Sequence, residues 1–238
     1  MFHTYNNAQK YSDHAGHVYK IVRSHRKTLA IVVRNEQITV RAPHPLPEHT
    51  IHNFVNEKFN WIEKKIREQK KKSDEVYRIT AGEHIPIIGT LKLIKIESAM
   101  KNDVSLDQES ITIKGKTLTP IKTTQIFNAW LKNKASVELS TRTKALSQKL
   151  GVCDKLKDIT FRKTKTKWGH CTSQGKIQYN WQIFMAPENV INYVVTHEVC
   201  HLIHMNHSPH FWALVEGIEP DYQQARIWLK DNGHKLML

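Results

Sequence analysis

The feature that most constrains this 238-residue chain is the pentad His197-Glu198-Val199-Cys200-His201. It falls inside a helical pattern, with Val190, Ile191, Val194, Val195, Val199, Leu202 and Ile203 supplying an apolar surface. Pro187 suits the first helical position and Glu188 the first turn, where a carboxylate complements the helix dipole. On such a helix His197 and His201 stand one turn apart on one face. Two imidazoles in that relation can bind one Zn²⁺, with Glu198 beside them to take a proton from metal-bound water. The chain holds 15 histidines, so composition alone produces H-E-x-x-H in roughly one such chain in twenty. The helical setting lowers that risk.

Catalytic zinc usually takes three protein ligands and leaves a fourth position for water. The helix is expected to end at Met205-Asn206, because asparagine tolerates the left-handed conformation that reverses a chain. His207 follows at once, at a tight corner pointing back to the first two histidines. Ser208-Pro209 then caps and starts another helix, with Phe211, Trp212, Leu214 and Val215 turned inward. His210, Glu216 and Glu219 are the other candidates for third ligand. His204, about one turn beyond His201, is expected to be exposed.

Upstream, Ile177, Tyr179, Trp181 and Ile183 alternate with Gln178, Asn180 and Gln182, which predicts a half-buried antiparallel strand over residues 176–184. Such a strand at a sheet edge could pair with an extended peptide; inside a sheet it is ordinary scaffold. In the first half, β-branched runs at residues 28–33 and 37–41 flank Arg34-Asn35-Glu36 and predict a hairpin. Prolines 43, 45 and 47 stop that sheet. Ile51, Phe54, Val55, Phe59, Ile62 and Ile66 then predict one helix from Glu48 to about Lys70, closing on a lysine-rich end. Strand-like runs follow at residues 76–80, 85–88 and 91–96, with turns at Gly82 and Gly89, and a hairpin joins the regions of Val104 and Ile111. Thr119-Pro120 begins a long helix that Leu150-Gly151 ends. No internal repeat is visible.

A formal net charge of +14 favours anionic partners, and Arg162, Lys163, Lys165 and Lys167 form a strip able to contact the phosphates of a nucleic acid. No run approaches the roughly 18 apolar residues needed to span a bilayer, so no membrane partner is expected. The first 20 residues are polar, without the apolar core of a secretory signal, which makes a cytoplasmic protein the expectation. Cys153, Cys171 and Cys200 form no Cys-x-x-Cys pair and are expected as buried reduced thiols.

Taken together, Lys167-Trp168-Gly169-His170-Cys171, Asn180, Pro187, the run from Tyr193 to Leu202, Asn206-His207-Ser208 and Phe211-Trp212 resemble the YgjP-like metallopeptidases, relatives of the SprT and WLM zincin-like proteases. Weaker similarity covers the N-terminal hairpin, Trp61-Ile62, Pro220-Asp221-Tyr222, Arg226 and Trp228-Leu229. The resemblance implies an α+β fold with a zincin-like core and a β-rich N-terminal half. The expected division is a polar extension over residues 1–18, a β-rich part with one helix over 19–116 and a catalytic part over 117–238, with 19–232 as one family-length unit. It further implies zinc held by His197, His201 and His207, with Glu198 as general base in the hydrolysis of a peptide or protein substrate. The family usually reads Trp-Gly-Ser-Cys where this chain has His170 in the serine place. A second oxyanion donor is expected from Tyr222, Arg226 or a histidine. Rival readings are a zinc-dependent nuclease, since a family of ribosomal-RNA maturation proteins shares the histidine spacing but has glycine in place of Glu198, and a nucleic-acid-associated protein with structural zinc.

Overall fold

The structure is a computed structural model that describes residues 10–14 and 17–238, with side chains from residue 18 onward. The chain forms two compact units, divided between Glu75 and Val76. It mixes helices and sheets throughout as an α+β protein. No helix among the described residues is long and apolar enough to cross a membrane.

The first unit opens with β1 (Lys10–His14), β2 (His17–Ser24), β3 (Ala30–Arg34) and β4 (Gln37–Pro43). Their order is β1-β2-β4-β3, with β2 and β4 parallel and both outer pairings antiparallel. The predicted hairpin is β3–β4, closed by Asn35 and Glu36 at φ 50° and 61°, the double left-handed turn that matches strand twist. Two helices follow, α1 (Glu48–Glu57) and α2 (Phe59–Asp74). The single helix expected here is thus broken at Lys58, whose amide bonds to the carbonyls of Phe54 and Val55. Tyr19, Ile21, Ile38, Val40 and Ala42 of the sheet meet Ile51, Val55 and Ile62 of the helices in one apolar cluster. Gln69 holds α2 to the hairpin: its Nε2 donates to the Val33 carbonyl at 2.7 Å, and its Oε1 accepts from the Glu36 amide.

The second unit begins with residues 76–80, which form no strand; the Tyr77 amide bonds instead to the Lys235 carbonyl. Then come β5 (His84–Ile87), β6 (Thr90–Ser98), β7 (Asp103–Leu106) and β8 (Ser110–Gly115), in the order β5-β6-β8-β7 with β6 and β8 parallel. The connectivity repeats that of the first sheet, although the residues show no repeat. Helix α3 (Pro120–Lys149) starts as predicted, with Thr119 Oγ1 accepting from the Lys122 amide, and Gly151 follows its end at φ 66°. A second sheet has the order β10-β11-β9, from β9 (Asp158–Arg162), β10 (Gly169–Cys171) and β11 (Lys176–Asn180).

Strand β11 stops at Asn180, short of the expected residue 184, and Trp181–Met185 coil into a 3₁₀ turn. Asn180 causes the change by accepting the Gln182 amide on its side-chain oxygen. All five residues of the turn are buried, Gln182 included, so the alternation did not mark one wet face. Helices α4 (Glu188–Cys200), α5 (Pro209–Ile218) and α6 (Tyr222–Asn232) complete the unit. Nine of the 13 residues of α4 are buried, so this helix runs through the core and does not lie on it. Its entry is fixed by the β5–β6 turn, where the Ile88 and Gly89 amides bond to the Phe184 and Met185 carbonyls. Any Cβ on Gly89 would stand 2.8 Å from Pro187 Cα, and its φ of 72° also demands glycine.

Candidate metal centre

His197 lies in the last turn of α4 and His201 is the residue that caps its end. The helix therefore ends earlier than the expected Met205-Asn206. The amides of Leu202 and Ile203 reach only three residues back, to Val199 and Cys200, which tightens the chain and turns it off the helix axis. A short loop brings back His207, immediately before α5, where Ser208 Oγ accepts from the Phe211 amide. His197 Nε2 lies 3.2 Å from His201 Nε2 and 3.1 Å from His207 Nε2. Imidazole nitrogens bound tetrahedrally to one zinc ion at ~2.0–2.1 Å stand about 3.3 Å apart, so this spacing fits a shared ion.

The rings are presented for that role. His201 Nδ1 bonds to the His204 carbonyl at 3.0 Å, which keeps a proton on the outer nitrogen and the Nε2 lone pair inward. His197 Nδ1 faces the Tyr193 hydroxyl at 3.4 Å. Burial holds His197 far below the usual imidazole range, at about 3, reinforced by His201, His207 and Arg226; burial lowers His201 as well. Phe211 and Trp212, in the first turn of α5, orient the rings by contact. Phe211 stacks on His201 at 4.6 Å between centroids, and Trp212 lies nearly parallel to His207 at 5.5 Å.

Glu198, one residue from His197, is only 4% exposed. Desolvation raises its carboxyl to about 8, with Lys167 opposing the shift, and its Oε2 has no hydrogen-bond partner. A buried carboxylate oxygen left unmatched is rare in a folded protein and fits a place where water or substrate arrives. Gly169 makes room for it: a Cβ there would overlap Glu198 Oε1 and stand 2.5 Å from its Cγ. Asn180 holds the approach to Gly169, accepting the Gln182 amide, donating Nδ2 to the Thr164 carbonyl at 3.0 Å and bonding its own amide to Trp168. Sequence reasoning missed both residues as site builders. The available signal for Gly169 was a glycine inside a strand, which often marks a close approach.

The structure brings His197, His201 and His207 together as the one such donor cluster among the described residues. His210, Glu216 and Glu219 are not part of it. His210 stacks on His204, which is half-buried and not exposed as expected. Glu219 accepts from Thr196 Oγ1 at 3.4 Å, on a separate cavity of about 350 Å³ that Arg142 and Asn192 also line. His170 is exposed on β10, where strand alternation sends it away from the face shared by Gly169 and Cys171. Cys171 and Cys200 are buried, and burial pushes their thiols up to about 11 and about 12; Cys153 is exposed, contrary to expectation. Among the described residues no fourth donor joins the cluster.

A helix with two histidines one turn apart, a third at the following corner and a buried carboxyl between defines a class of metal-dependent hydrolase centres. The family model of the YgjP-like metallopeptidase domain matches residues 27–232, and the chain belongs to that family. No curated protein matches the chain. A metallopeptidase acts on peptide or protein substrates, and the matched span takes in part of the first compact unit and most of the second.

Proposed function

We propose that this chain is a zinc-dependent peptidase with a zincin-like core, in which His197, His201 and His207 hold Zn²⁺ and Glu198 is the general base. The observation that carries the reading is the convergence of three Nε2 atoms beside a buried carboxyl whose outer oxygen has no partner. Zinc bound there would supply Lewis acidity, activating water and polarising the peptide carbonyl. Glu198 takes a proton from the attacking water and passes it to the leaving amine nitrogen. Burial raises the carboxyl, which makes its ionised form a stronger proton acceptor. Phe211 and Trp212 keep the imidazoles from swinging, while Gly169 lets the carboxyl lie against β10.

Strand β11 is interior, flanked by β10 and β9, so it is not the strand a substrate would pair with. Strands β10 and β9 are the edges, and it is Gly169 of β10 that meets Glu198; an extended peptide added along β10 would run past the carboxyl. Retention of a glutamate where the ribosomal-RNA maturation proteins carry glycine favours peptide over nucleic acid as the substrate. The free thiols support a cytoplasmic place.

Metal analysis and peptide cleavage test the reading together. Alanine at His197, His201 or His207 should each release zinc, whereas Glu198→Gln should keep zinc and lower the rate by about 10³-fold. Full zinc retention in His207→Ala would remove the third ligand, and undiminished cleavage by Glu198→Gln would remove the base.

A further inference from the structure

The second unit holds two guanidinium groups in opposite circumstances. Arg142 is engaged at all three nitrogens, bonding Glu138, Glu188 and Asn192. Arg226 has no ion pair or hydrogen bond with any described residue, yet it is not loose: its Cζ sits 4.6 Å from the centroid of Trp212. Trp212 in turn lies nearly parallel to the ring of His207 and stacks on Tyr222, which stacks on Tyr193, whose hydroxyl faces His197. An exposed guanidinium is thereby held one aromatic ring from a metal-binding imidazole, with its donor fork unfilled.

No carboxylate among the described residues pairs with it. Asp221 accepts from Gln224, and Glu219 is engaged by Thr196. The cations acting on the site from outside the histidine cluster are Arg226 on His197 and Lys167 on Glu198. Such a rim attracts an anion, and a planar fork pinned on an indole matches a carboxylate in two parallel hydrogen bonds.

Resting on the peptidase reading, we propose that Arg226 is a specificity-determining residue that binds a carboxylate of the peptide substrate, close to the bond that is cut. The carboxylate is either an acidic side chain or a free C-terminus; the chemistry recognised is the same. A phosphodiester backbone fits less well. It would track a strip of cations, and in the strip upstream of β10 Lys163 is already bonded to the Leu238 carbonyl.

The test uses the zinc-loaded full chain and fluorogenic peptides in matched pairs, glutamate against glutamine at each position flanking the cut, and free acid against amide at the C-terminus. The wild type should prefer the carboxylate member of one pair by about tenfold in kcat/KM, through KM. Arg226→Met, which keeps an unbranched chain over Trp212, should bring that ratio close to one, and Arg226→Lys should restore part of it. Which pair responds distinguishes an acidic side chain from a free C-terminus. Equal rates for every pair in the wild type, or a preference that survives in Arg226→Met, would overturn the proposal while leaving the peptidase intact. So would an oligonucleotide that displaces the peptide in an Arg226-dependent manner. Calorimetric binding of the same pairs to Glu198→Gln reads the preference without turnover; if it holds while the wild type cleaves nothing, the peptidase reading fails and carboxylate recognition stands.

Discussion

The two units build the same four-stranded frame and use it in opposite ways. In each, an antiparallel pair is joined to a second antiparallel pair through a parallel contact, β2 with β4 and β6 with β8, before the chain turns into helix. Strand β4 alternates buried and half-buried or exposed residues, as in a sheet covered on one face. Strand β8 is buried at five of its six positions, although β6 and β7 on either side of it keep exposed residues. The helices explain the contrast. Those after β4 are short and bury only Ile51, Val55 and Ile62. Helix α3 after β8 has a buried stripe at Phe127, Leu131, Ala135, Leu139, Thr143 and Ser147, every fourth residue, which recruits a second sheet and the helix carrying the histidines. A shared connectivity therefore carries no function; what is packed against it does.

The largest effect that would sharpen this contrast is expected at Gly169. In Gly169→Ala the new methyl overlaps the Glu198 carboxyl, so the carboxyl must leave its place. Displacement of that order should cost about 10²-fold in rate, with zinc content unchanged. An alanine variant of unaltered rate would show that the close packing of β10 on α4 is irrelevant to catalysis. Next come paired core truncations, both of nearly or fully buried isoleucines. Ile113→Ala in β8 should cost about 4 kcal/mol and weaken zinc retention, because the surroundings of the fully buried Ile113 cannot collapse around the hole. Ile38→Ala in β4 should cost about 2 kcal/mol and leave zinc untouched. Urea unfolding followed at Trp61, the sole tryptophan of the first unit, separates the two responses from the signal of the other five. Equal loss of zinc in both variants would break the comparison.

Much of the site was legible because its geometry is local. Residues four apart on a helix share a face, and a serine-proline pair starts the next helix, so His197, His201 and the corner at His207 could be read together. What tertiary structure decides was not legible. The end of α4 at Cys200 follows from tightened bonds to Val199 and Cys200, not from asparagine at 206. Residues 76–80 have the composition of a strand, but their partner is the Lys235 carbonyl. Asn180 reads as the polar member of an alternating strand, whereas its buried side chain ends that strand and ties down the loop before Gly169. The repeated frame was hidden because equivalent turns use different chemistry: Asn35 and Glu36 in left-handed conformations in one hairpin, an Asp107 carboxylate accepting from Glu109 and Ser110 in the other.

Smaller effects probe burial. Cys171 and Cys200 stay protonated in the fold well beyond the usual thiol range, so at pH 8 a disulfide reagent should titrate one thiol per native chain, Cys153, and three after unfolding. The sign of the linkage follows: thiols raised in the native state favour folding below about pH 8.5, and that contribution is lost as pH climbs toward 11 and 12. Native reactivity of two or three thiols at pH 8 would show the second unit to be less closed than its packing.

The smallest expected effects compare one motif across both units. Each buries a strand tyrosine whose hydroxyl meets a helix side chain: Tyr19 with His52 Nδ1, and Tyr179 with Thr143 Oγ1 at 2.9 Å. Thr143 spends its own hydrogen on the Leu139 carbonyl, so Tyr179 is the donor. In Tyr179→Phe the Thr143 oxygen is left fully buried without a donor, which should cost about 1.5 kcal/mol. In Tyr19→Phe the His52 ring is half-buried and can turn to water, so about 0.5 kcal/mol is expected. The same urea curves read both. If Tyr19→Phe proves the costlier change, burial does not rank the two cores, and the first unit is the more tightly determined of the pair.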